Sequence, residues 1–130
     1  MMDIIVNMVA QKVGIPPEMA KMAIPLVSKF LLQKSSPDQA SGLLSALPTD
    51  ITGMFSADEK KDFTTNQQDI TEEDLINNLD SKCGINDKAK SKQTMTEIMN
   101  SLQQNTGDKG GDLFGGVMGK LGKGNFNPFG

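Results

Sequence analysis

The side chains of this chain that could do acid–base or metal chemistry are almost all carboxylates. Asp69, Glu72, Glu73 and Asp74 crowd together and could offer oxygen ligands to a hard cation. Their spacing matches no calcium loop, however, and lacks both the central glycine and the distal bidentate glutamate. Acidic residues set against the positive N-terminal end of a helix account for the cluster without a metal. Asp58, Glu59, Lys60, Lys61 and Asp62 alternate in sign and read as a solvated helix face. The chain has no histidine, tyrosine or arginine, so the usual general base, proton relay and oxyanion clamp are missing. No serine lies in a nucleophile-elbow pattern. Gly110-Gly111 and Gly115-Gly116 are followed by no Gly-Lys-Ser/Thr ending and preceded by no strand, which argues against a phosphate loop. The expectation is a protein that is not an enzyme, with no catalytic residues, no cofactor-binding residues and no metal site.

Cys83 is the single cysteine, so it has no partner for an internal disulfide, and no histidine is present to activate it. It reads as a small buried hydrophobe. All 13 basic residues are lysine against 16 acidic ones, a net charge of -3. Nucleic-acid binding draws on phosphate neutralisation and on arginine's two-pronged reading of bases, so no nucleic-acid partner is expected. Apolar runs are broken by Lys12, Lys21 and Lys29, well short of the roughly 20 residues a membrane-spanning helix needs. Asp3 lies early, with no basic leader or small-residue cleavage site, which points to a cytoplasmic protein.

The elements that would carry these side chains are all helical. Ile5, Val9 and Val13 recur every four residues over about 3–13, and Gly14 ends that helix. Pro17 suits a first helical turn, and Ala20, Ala23, Ile24, Val27, Phe30 and Leu31 give the strongest core stripe, running to about Lys34. Pro25 lies inside it, so a kink or break is expected near Lys21–Ile24. Ser36, Pro37 and Gln39 form a helix start, and this helix ends at Leu47-Pro48. Pro48 can open a short helix through Ile51, Met54 and Phe55, Ser56 with Glu59 offers another capping box, and 64–69 reads as a loop. Thr71 caps a helix with Leu75, Ile76, Leu79 and Cys83 buried, closed by Gly84. Asn86 is then expected to cap a last helix with apolar positions Ala89, Met95, Ile98, Met99 and Leu102, its first half exposed.

A shift of 70 residues brings Ile5, Val6, Asn7, Val9, Lys12, Val13, Gly14 and Ile15 onto Leu75, Ile76, Asn77, Leu79, Lys82, Cys83, Gly84 and Ile85. Val27 and Leu31 match Ile98 and Leu102 after a slip of one residue. Each arm is a helix, a Gly-Ile corner and a second helix. Glycine supplies the left-handed residue that stops the first helix, and isoleucine staples the turn. The fold expected is all-α, with five to six short helices in a helical domain over 1–106. Its two similar arms lie at about 3–34 and 71–104, its central segment at 36–63, and 107–130 forms a glycine-rich flexible tail.

The run Val13-Gly14-Ile15-Pro16-Pro17-Glu18-Met19-Ala20, then Pro25 within an apolar helix and Ser36-Pro37, resembles the YidB-like helical proteins. The duplication, with Ala40, Leu47-Pro48 and the opening Thr71-Glu72-Glu73-Asp74-Leu75, is similar to a duplicated helical family classed only as a domain of unknown function. The resemblance spans about 3–102 and implies a fold more than a function.

Two features bear on partners. There are nine methionines and no tryptophan. Met8, Met19, Met54, Met95 and Met99 read as core filling, and Met22 falls off the stripe as a candidate surface contact. The tail has nine glycines, yet Leu113, Phe114, Val117, Met118 and Leu121 recur at helical spacing, Lys120 and Lys123 accompany them, and Phe126 and Phe129 follow. These seven apolar residues are the candidate partner-binding set. The function expected is a non-catalytic protein-interaction or assembly module whose partner is an unknown protein or a second copy. Binding of the tail to a membrane surface is the alternative.

Overall fold

A computed structural model describes residues 2–66 and 70–105, the side chains of Glu72 and Asn105 excepted. Among these residues the chain is all-α, with no strand. Its seven helices are α1 (Met2–Val13), α2 (Pro17–Lys34), α3 (Pro37–Ala46), α4 (Thr49–Thr52), α5 (Ala57–Phe63), α6 (Glu72–Lys82) and α7 (Lys88–Asn105). That is one more than the five to six expected, because the brief segments after Pro48 and Ser56 both form.

Helix starts follow the capping chemistry closely. Ser36 with Gln39, Ser56 with Glu59 and Thr71 with Asp74 each form a complete capping box, side chain to backbone in both directions. The first turn of α1 is capped from a distance in sequence, since the Met2 N–H donates to Asp50 Oδ2 of α4 at 2.9 Å. Of the kink or break expected at Pro25, the break does not occur, and α2 runs continuously through the proline. The carbonyl that proline leaves without a donor belongs to Lys21, an exposed residue, where water can meet it.

The two corners match. Gly14 and Gly84 hold φ of +81° and +73°, each directly before an isoleucine that joins the core. The second corner is longer by one residue, and that residue is Asn86, with φ of +55°. Asn86 therefore does not cap α7. Asp87 does, its Oδ1 accepting the Lys90 N–H at 3.2 Å. Asn86 tolerates the left-handed conformation better than most residues, which explains why the slip between the arms falls there.

The arms also pack as copies. The two long helices α2 and α7, of 18 residues each, touch one another, and each also touches both α1 and α6, whereas α1 and α6 make no comparable contact. Exchanging α1 for α6 and α2 for α7 leaves this pattern unchanged, which is a two-fold arrangement within one chain. Burial follows it: Ile5 with Leu75, Val9 with Leu79, Val13 with Cys83, Val27 with Ile98 and Leu31 with Leu102 are all in the core. The core is not chemically symmetric. Ser91, Thr94 and Ser101 of α7 are buried where α2 has Ala20, Ala23 and Phe30, and the buried Ser28 hydroxyl, which has no hydrogen-bond partner, stands opposite Met99 in the correspondence.

Helices α3 to α5 wrap the later part of α2. Phe55 and Phe63 meet edge to face at 5.4 Å, and Lys29 of α2 pairs with Glu59 of α5 at 3.2 Å. Of the methionines expected inside, Met95 and Met99 are fully buried and Met8 and Met19 half-buried. Met54 is exposed, because α4 ends at Thr52 and the chain has turned before Met54 could face inward. Ala89 is exposed in the solvated first turn of α7.

Candidate functional site

The internal two-fold creates two equivalent seams, α1 against α7 and α6 against α2, and they are filled differently. In the first, Lys12 Nζ lies 3.6 Å from Glu97 Oε2, while the Gln93 side-chain amide donates to the Lys12 carbonyl at 3.3 Å. Met8 packs half-buried one turn earlier on α1. This seam is closed by side chains of the protein itself.

In the second seam the counterpart of Lys12 is Lys82, but the counterparts of Glu97 and Gln93 are Leu26 and Met22. Lys82 thus faces an aliphatic side chain where Lys12 faces a carboxylate, and it has no ion pair among the described residues. Between the helices lies a groove of about 150 Å³. Leu26, Phe30, Ile70 and Leu75 form its apolar lining, Gln33 and Asn78 add amides, and Lys29 and Lys82 add ammonium groups. Lys29 is held aside by Glu59. The Glu59 carboxyl is kept below the usual carboxylate range, first by the Ser56 N–H it accepts from and then by the Lys29 ammonium. Met22, one turn before Leu26 on the same face of α2, is 47% exposed.

Both seams end at the same side of the molecule. Met19 Cε of α2 lies 3.9 Å from where a Cβ on Gly84 would stand, so the foot of α6 meets the start of α2. The groove therefore runs from Lys82, near the corners, toward Gln33 and Ile70, near the opposite end.

The remaining sequence candidates fall as follows. Asp74 is committed to its capping box, and Asp69 lies outside the described residues. Among the described residues no three His, Cys, Asp or Glu side chains come close enough to hold a metal ion. Asp58, Lys61 and Asp62 line a shallow depression beside Thr65 and Asn66, whose amide donates to Asp62 Oδ1 at 2.9 Å. Cys83 is 2% exposed, and burial pushes its thiol up from the ordinary value. No helix among the described residues is long and apolar enough to cross a membrane. Leu113, Phe114, Val117, Met118, Leu121, Phe126 and Phe129 lie outside the described residues.

The groove was not anticipated from the sequence, although one signal for it was present: applying the repeat to Glu97 and Gln93 lands on Leu26 and Met22. Comparison with family models, with characterised proteins and with solved structures finds no match to this chain.

Proposed function

We propose that this chain is a non-catalytic protein-interaction module and that the groove between α2 and α6 is its docking surface. The observation that carries this reading is the broken two-fold, in which one seam is closed by Lys12, Glu97 and Gln93 and its equivalent is left with Lys82 beside the half-buried Leu26 and Ile70. A space of about 150 Å³ is on the scale that holds one benzene-sized group. The complement is then a segment presenting one aromatic or aliphatic side chain beside a carboxylate for Lys82. Such a small footprint suits weak, exchangeable contacts rather than a permanent complex.

The test is affinity capture from the source cell with the intact chain and with a Leu26→Glu, Lys82→Glu variant, circular dichroism confirming that both are folded. Specific partners lost only from the variant support the reading, and identical captures overturn it. A second reading, tail binding to a membrane surface, is favoured by the apolar spacing of Leu113–Leu121 next to Lys120 and Lys123. Sedimentation with anionic vesicles that is insensitive to the groove variant would support that reading instead.

A further inference from the structure

We infer that the groove between α2 and α6 is covered by the chain's own segment Asp112–Phe114, with the Phe114 ring between Leu26 and Leu75 and the Asp112 carboxylate on Lys82. This rests on the groove being a docking surface, and it names a built-in occupant with which any partner must compete.

Charge complementarity points to it first. Lys82 lacks the carboxylate that its equivalent Lys12 has, and Asp112 brings one directly beside an apolar pair, Leu113 and Phe114. The fit in size is the second argument, since a phenyl ring matches a space of about 150 Å³. Spacing is the third: residues two apart point to the same side of an extended chain, so Asp112 and Phe114 can reach one surface together. Gly110-Gly111 before them and Gly115-Gly116 after them let the backbone approach a helix closely and turn away again.

Reach also permits it. Helix α7 ends at Asn105, and α7 packs against both walls of the groove. The linker from Asn105 to Asp112 spans up to roughly 23 Å when extended. Helix α7, at 18 residues, carries the chain about 27 Å away from the corners, so the linker covers the Gln33 and Ile70 end of the groove easily and meets the Lys82 side chain only when nearly extended.

The test is methyl NMR on the full chain, reading the resonances of Leu26, Ile70 and Leu75 against that of Ile4, which is exposed on α1. Phe114→Leu removes an aromatic ring without shortening the tail. The expected result is a shift confined to the groove methyls, reproduced by Lys82→Glu, restored when Lys82→Glu is combined with Asp112→Lys, and unchanged on tenfold dilution. Groove methyls indifferent to Phe114→Leu overturn the inference, as does a shift that Lys82→Glu fails to reproduce. A dilution-dependent shift also overturns it and assigns the groove to the tail of a second copy. The two readings fail separately: an empty groove leaves partner docking intact, whereas a tail-filled groove with captures unaffected by the groove variant removes only the partner.

Discussion

At the scale of single residues, backbone conformation rather than crowding explains the two corners. A Cβ at Gly14 would meet nothing within 4 Å, and at Gly84 only the flexible end of Met19, yet both residues have positive φ. Gly14→Ala and Gly84→Ala should therefore each destabilise by about 1–2 kcal/mol in urea unfolding, with asparagine costing less at either position. Alanine variants as stable as the parent would mean that the left-handed corners are not required. Asp50 gives a pH-dependent contribution. Its carboxyl is held below the usual range chiefly by the Met2 N–H, so the stabilisation is complete above the unfolded-state value of about 4 and disappears as pH falls through the lower folded-state value. Unfolding followed across that acid range should fall less steeply with pH for Asp50→Asn than for the parent, and parallel curves would remove Asp50 from the account. Asp50 itself was invisible in the sequence as a cap, because its hydrogen bond spans 48 positions. Short-range partners such as Ser36 with Gln39 were legible, since three-residue spacing is all that a capping box requires.

At the scale of elements, α2 carries a conflict between propensity and packing. Pro25 removes a backbone donor from a helix whose residues Ala20, Ala23, Ile24, Val27 and Leu31 are buried, and the helix continues because that burial outweighs the local penalty. Pro25→Ala should raise the melting temperature, returning about 1 kcal/mol or more of a penalty near 3 kcal/mol, reduced by the added freedom of the unfolded chain. A lower melting temperature would show that the ring's own packing on α2 matters more than the lost bond. Of the kink or break expected in α2, the break is absent for this reason: local rules weigh the proline but not the core beneath it. The start of α7 failed differently. Asn86 and Asp87 are both good capping residues, and only the extra left-handed residue in the second corner decides between them.

At the scale of the whole molecule, the four long helices form one core in which each arm covers the other. Leu31 and Leu102 occupy equivalent, fully buried places, so Leu31→Ala and Leu102→Ala should cost similar amounts, about 2–5 kcal/mol, within a single cooperative transition. Two separable transitions, or a cost at one site only, would mean that the arms are independent units. The repeated helices were readable because burial at four-residue spacing is kept in both arms, as Ile5 with Leu75 and Val9 with Leu79 show. The open seam was harder to read because it depends on what Leu26 and Met22 are not. Cys83 turns this architecture into a clock. Its thiol lies at the foot of α6, buried and with its protonated form favoured by that burial, so an alkylating reagent can reach it only when α6 or its corner opens. Its labelling rate would time that opening, residue by natural residue, without adding a probe to the chain.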